Sequence, residues 1–426
     1  MTIANMINKQ VVIGKQSAKG TIAVAATATA QYLRFNSFTQ DQTNETYMSD
    51  EMRPDRQVGG VFIGPQDGNG SCSGELTPGT FEAFEAAVLR KVFVAGSSDS
   101  ANETLVSGDV SGAAATFTRS DAVGSWLVDG FKVGDVVQQT GWAAAADDTD
   151  ATANNAHNFL ITALSATVMT VLAIDGVAIV AKDESAEVTT TVQGQKCWTP
   201  ATKHTEDWFT IEHYYSDVDL SEVFWDCKPT NMSVSAPATG IPTVDFNILG
   251  LQMTPEGGDE SSYFTSDDVP LAITGTDAVH TGKAVIVIQG VNQVFCTGVD
   301  FEINGNAEVG SAVMGSNIKS GIYDKRLEVK GNFKALYQDD VISALYRAGT
   351  KISLSIVLPD SDAPDSAFIA ISIPSAKVTS GAKEGDNEIS HSFGFTAEFN
   401  SDGDDGVTCT KDSLATTLSL QDSSLS

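Results

Sequence analysis

Basic residues are scarce in this chain: 25 Lys and Arg stand against 55 Asp and Glu over 426 residues, a formal net charge of −30. Sequence-independent DNA binding needs lysine and arginine to displace counterions from phosphates, so tight nucleic-acid binding is excluded as a class. Cysteine is equally sparse. Cys72, Cys197, Cys227, Cys296 and Cys409 fall singly, with no CxxC and an odd total, which argues against a disulfide scaffold and for ordinary thiols in a reducing compartment. The five histidines (His157, His204, His213, His280, His391) include no i, i+4 pair, so the zinc spacing is missing. No apolar run is long enough to span a bilayer, and no membrane partner is expected. Lys19–Ala30 has the lysine and small residues of a secretory leader, but it starts late, is broken by threonines and alternates like a strand.

Catalytic signatures are also thin. Gly70-Ser71-Cys72-Ser73-Gly74 has nucleophile-elbow spacing with cysteine for serine, yet a further strand separates it from the helix that should follow directly. Gly282-Lys283-Ala284 lacks the upstream glycine and the hydroxyl residue of a phosphate loop. The acidic stretches Asp360–Asp365 and Ser401–Gly406 lack the ligand pattern of a calcium loop. The expectation is therefore no enzyme, no cofactor and no metal.

What the chain does have is self-similarity. Gly74–Arg90 lies ungapped on Gly331–Arg347 at an offset of 257 (331 − 74), pairing Leu76 with Phe333, Phe84 with Val341 and Val88 with Leu345. Each stretch reads as a strand end followed by one short amphipathic helix. In the first, Thr77 is the expected N-cap and Pro78 the first helical residue; in the second, Asp339 caps and Gly349 closes the helix. Alternating strands flank both. Phe209, Ile211, His213 and Tyr215 share a face in the first copy, as Ile352, Leu354, Ile356 and Leu358 do in the second. The fold class expected is mainly β: two similar antiparallel sandwich or half-barrel modules, each with one helix, plus a small all-β domain inserted in the first. The expected division is 1–95 and 206–253 for module one, its first part opening with an N-terminal arm, and 96–205 for the insert. A linker at 254–283, module two at 284–400 and a polar C-terminal tail at 401–426 complete it. Trp126–Val128 is among the strands expected in the insert.

The run Asn44–Gly60 (NETYMSDEMRPDRQVGG) is polar, broken by Pro54 and longer than a tight hairpin turn, as functional loops often are. Its Glu51, Arg53, Asp55 and Arg56 alternate in charge and, with Ser49, are the candidate contact residues.

From Leu33 to Arg90 the chain resembles the major tail tube proteins of long-tailed bacteriophages. An Arg-and-aromatic strand (LRFNSF) leads to the S-D-E-M-R-P-D-R-Q loop, a glycine pair, a strand, and then E-L-T-P-G-T-F-E-A-F-E-A-A-V-L-R. The second half fits through the Cys296–Ile303 strand, an Asn-Gly turn, G-S-N-I, Gly321, Gly331 and S-L-S-I-V-L-P. The resemblance implies a virion protein assembled in the host cytoplasm. Because this subunit is double-length, it implies trimeric rings of pseudo-six-fold symmetry, stacked into a non-contractile tube. Its implied partners are further copies of itself, tape measure, tail terminator and tail tip proteins, and genomic DNA that passes through the lumen without tight binding. The loop around Ser49–Arg56 would then reach the next ring. The alternative class is a secreted carbohydrate-binding or adhesin-like β protein, which needs an export signal and predicts no helix-bearing repeat.

Overall fold

A computed structural model of the chain describes residues 6–23, 30–52, 54–55, 57, 59–99, 105–108, 115–119, 124–142, 152–183, 187–257, 262–264, 276–293, 295–337, 341–384, 388–405 and 409–425. The fold is mainly β and antiparallel, with two short α-helices among the described residues. The first set of elements is β1 (Lys9–Lys15), β2 (Ser37–Met48), β3 (Val61–Glu75), α1 (Glu82–Leu89), β4 (Phe209–Tyr215), β5 (Leu220–Pro237), β6 (Thr243–Leu249) and β7 (Gln252–Gly257). The second is β8 (Val285–Ile288), β9 (Cys296–Asn304), β10 (Glu328–Leu336), α2 (Val341–Ala348), β11 (Lys351–Pro359), β12 (Phe368–Glu384), β13 (Ser390–Ala397) and β14 (Ser419–Asp422).

The pairings of the two sets match strand for strand. In the first, β1 pairs β4, β4 pairs β5, β5 pairs β6, β6 pairs β3, β3 pairs β2, and β7 folds back on β5. In the second, β8 pairs β11, β11 pairs β12, β12 pairs β13, β13 pairs β10, β10 pairs β9, and β14 folds back on β12. Even the irregularities coincide. The β5–β6 register slips between Pro229 and Asn231, and the β12–β13 register slips between Val378 and Ser380. A bulge bends a long strand. The first half of β5 therefore serves one layer, with β4 and β7, and its second half the other, with β6; β12 is divided in the same way.

Register corrects the ungapped alignment. On the β6 and β13 partners, Gly70 faces Ile248 as Gly331 faces Phe395, and Cys72 faces Phe246 as Phe333 faces Phe393. The strand offset is thus 261 (331 − 70), while the helices start 259 apart (341 − 82). The second copy spends two residues fewer between strand and helix, which no ungapped comparison can accommodate.

Other expectations are corrected too. The N-terminal arm contains a core strand: Val11, Val12 and Ile13 of β1 are buried. The linker carries β7 and buries Phe264. The residues expected as a polar tail carry β14, with Leu418 and Leu420 buried, because their apolar side chains close the second sandwich. The loop expected at Asn44–Gly60 is shortened by a hairpin whose pairing runs out to Met48–Val61. Helix α1 begins later than expected: its N-cap is Phe81, without a side-chain cap, and Thr77 Oγ1 instead donates to the Glu75 carbonyl at 3.1 Å. Asp339 lies outside the described residues. Gly349 does sit in the left-handed region (φ 62°), and Thr350 N–H donates to the Leu345 carbonyl at 3.2 Å.

Eight strands between Ser98–Asp99 and Thr189–Val192 form a separate antiparallel sheet around Phe117, Trp126, Phe131 and Phe159. Trp126–Val128 is a turn there, not a strand. The following strand, Gln195–Trp198, returns to the main body by pairing with β14, so the last residues of the expected 96–205 insert belong to that body. The inserted sheet leaves the chain just after α1 yet docks on the second set. Val136, Leu160 and Ile174 pack on Val285, Val287, Val357 and Phe368. Asn158 Nδ2 donates to the Ser366 carbonyl at 2.9 Å, and Gln421 Nε2 to the Val136 carbonyl at 2.9 Å.

Candidate functional site

The two sets are joined through their backbones. Residues Asn231–Pro237 of β5 pair with Asn304–Gly298 of β9, which makes one sheet in the order β2-β3-β6-β5-β9-β10-β13-β12. Strand alternation gives this sheet two chemically opposite faces. In one row across it, Cys72, Phe246, Met232, Ile303 and Val329 face each other in register and are all buried. In the neighbouring row the facing residues are Ser73, Asp245, Ser233, Glu302, Lys330 and Thr396, all polar. Across the junction, Asn231 Nδ2 donates to Glu302 Oε1 at 2.7 Å and the Ser235 hydroxyl donates to Asp300. Lys330, with Arg326, holds the half-buried Glu328 carboxyl down at about 2, so it remains charged at any physiological pH.

Each set also projects an arm. In the first, the 23 residues 44–66 run through the β2–β3 hairpin; the same offset of 261 (305 − 44) places residues 305–327 in the equivalent connection of the second. Their stems pair identically: Tyr47 faces Phe62 and Met48 faces Val61, as Glu308 faces Tyr323 and Val309 faces Ile322. Their surroundings differ. The second arm lies on the first set, with Val309, Ile318 and Ile322 packed against Trp208 and Leu251. Lys228 forms an ion pair with Asp324, and Arg90 donates to the carbonyls of Lys325 (2.9 Å) and Gly305 (3.2 Å). The first arm presents Tyr47, Met48, Val61, Phe62 and Ile63 to solvent, each more than half exposed, with Met52 wholly exposed at its tip. Lys319 of the second arm braces its stem, pairing with Asp67 and, at 3.3 Å, with Glu45.

Of the residues expected to make contacts, Glu51 and Asp55 sit at this tip and are exposed, Ser49 is half-buried where the hairpin closes, and Arg53 and Arg56 lie outside the described residues. Ser49 N–H donates to the Gly60 carbonyl at 3.0 Å and closes the hairpin end. Missed from sequence were the apolar stem of the first arm, hidden inside what reads as a polar loop, and the whole second arm. The constant offset of 261 was the signal that would have found it.

The motifs set aside on sequence have structural roles. Cys72 is a mid-strand core residue whose thiol burial pushes up to about 12, far from a nucleophile. All five cysteines are free. Asp404, from the acidic Ser401–Gly406 stretch, is an anchor: it accepts from buried Lys132 at 3.0 Å and from Thr410 N–H at 2.7 Å, tying the inserted sheet to the C-terminal segment. Among the described residues no group of three His, Cys, Asp or Glu could hold a metal, and no helix is long and apolar enough to cross a membrane.

A family model of phage tail tube proteins matches residues 7–397. The chain belongs to the phage tail tube protein family. It is therefore a structural component of a phage virion tail, and its family implies self-assembly rather than catalysis. No curated protein matches it significantly.

The α1 region adds a pH-dependent term to the stability of each tube subunit. Burial, then Asp422 and Glu82, pushes the Glu85 carboxyl well above its ordinary range; burial likewise raises Glu82 and Asp422. A carboxyl raised in the folded state gives stability that is complete below the unfolded value and lost as pH rises through the folded one, at up to about 1.4 kcal/mol per pH unit. Glu85→Gln should therefore raise the melting temperature at pH 8 and change it little near pH 4. A stabilisation that is constant across that range in thermal melts would refute the assignment.

Proposed function

We propose that three copies close into a ring and that rings stack into the hollow tube through which the genome is delivered. The two sets of strands are copies of one module, so a trimer presents six modules around its axis. The in-chain β5–β9 junction carries this reading, because it joins two modules edge to edge without a break in the sheet. Exposed strand edges invite pairing, and a closed ring removes them. Three copies of the eight-stranded sheet make a barrel of 24 strands, which at 4.8 Å per strand is roughly 40 Å across before side chains are counted. Two copies would enclose roughly 25 Å, which side chains narrow below the width of a DNA duplex.

The polar face, with Asp245, Asp300 and Glu302 against Lys330, would line the lumen. A duplex carries one charge per roughly 1.7 Å and finds too few cations there to bind, so it slides. The arm tip, which includes Ser49, reaches the next ring through ion pairs of Glu51, Arg53, Asp55 and Arg56. The tube ends meet terminator and tip proteins, the lumen holds a tape measure before ejection, and the tail is of the non-contractile kind. Negative-stain microscopy of the concentrated protein tests the reading: trimeric rings or hollow tubes are expected, and a protein that stays monomeric at high concentration and binds glycans would refute it.

A further inference from the structure

The in-chain junction specifies which strands meet between copies, and in what register. Its two partners each have a counterpart in the other module. The β5 residues Asn231–Ser235 correspond to Ser380–Glu384 of β12, fixed by the coincident bulges (380 − 231 = 149). The β9 residues Asn304–Asp300 correspond to Thr43–Thr39 of β2, fixed by the shared offset of 261 (304 − 43).

These counterparts lie at opposite ends of the eight-stranded sheet. Among the described residues no strand pairs with the β11-side edge of β12 beyond Lys377, and β2 pairs with β3 alone. Burial follows the same split. In β5 the stretch has Met232, Val234 and Ala236 buried beneath β9, whereas Thr379–Glu384 of β12 is exposed throughout. The arms agree: Val309 and Ile322 are covered by the first module of their own chain, and their counterparts Met48 and Val61 are bare.

We propose that β12 of one copy pairs antiparallel with β2 of a second copy in the register of the in-chain junction: Ser380 opposite Thr43, Ala382 opposite Asp41, and Glu384 opposite Thr39. The occupant of the bare edge is thus another copy of this chain, and its first arm lies over the second module it has joined. The register keeps alternation intact. Ser380 faces Gly394, which faces Asn332 of the polar face, so Ser380, Ala382 and Glu384 share that face with the exposed Thr39, Asp41 and Thr43. A slip of one residue would turn the buried Gln40 outward and mix the two faces.

The inference rests on the ring reading, and its test separates the two. Asp41→Cys combined with Ala382→Cys in one chain should, on mild oxidation of the assembled protein, give a ladder of linked copies on a non-reducing gel, because facing Cα atoms about 4.5–5.5 Å apart suit a disulfide. The combination of Asp41→Cys with Ser380→Cys places the thiols diagonally and should link at least tenfold more slowly. Single-cysteine variants account for the native thiols. Rings seen by microscopy with no ladder, or with faster linking of the diagonal pair, would overturn the register and leave the ring standing. A protein that sediments as monomer and does not link would overturn both.

Discussion

Replacing Met48 and Val61 together by serine should give a folded protein that no longer assembles. Both side chains are more than half exposed in the single chain, so their loss removes little from its core, and circular dichroism and melting should stay near those of the parent. Their counterparts Val309 and Ile322 show what such an arm does when covered: it packs against Trp208 and Leu251 of the neighbouring module. Burying an apolar side chain of this size stabilises by about 1.5–3 kcal/mol, so two of them contribute about 3–6 kcal/mol per contact. That is roughly a hundredfold or more in association at each interface. Sedimentation velocity checks it. Rings forming at the parental concentration would show that the stem of the arm does not touch a second copy, and would leave its tip as the only contact.

Deleting residues 418–426 should unfold the protein rather than trim it. These residues include all of β14, which pairs with both β12 and Gln195–Trp198. Leu418 and Leu420 are buried, and truncating one such leucine costs about 2–5 kcal/mol. The deletion also removes Gln421, whose amide accepts from Val136 N–H at 2.9 Å and donates to the Val136 and Gln193 carbonyls, and Asp422, which accepts from Gly79 N–H at 2.6 Å. Against a domain stability of about 5–15 kcal/mol the sum is decisive. The expected product is insoluble or lacks a cooperative melt. A soluble truncated protein with a parental transition would show that the segment is the dispensable tail its composition suggests.

Strands β14 and β1 escape a reading of the sequence for the same reason. Thr416–Ser426 is rich in serine and threonine, and only four leucines in the C-terminal segment after Ser401 mark it as more than a tail. Likewise β1 is a short run, Val11-Val12-Ile13, among polar and small residues. Local pattern does not report that β1 completes a sheet with Phe209–Tyr215, or β14 one with Gln195–Trp198, strands far off in the chain. Long strands show the converse: β5 contains Pro229 and a bulge, and only the backbone shows one bent strand serving both layers.

The sequence by itself determined the mainly β fold class and the acidic balance. Each of these is carried by residue type and by periodicity within one element. Tertiary structure alone decided the register of the repeat, the seating of the inserted sheet on the second module, the second arm, and the identity of the bare edges β2 and β12. Those depend on hydrogen bonds between strands far apart in the chain, and a strand's sequence specifies which face it buries but not which neighbour it pairs with.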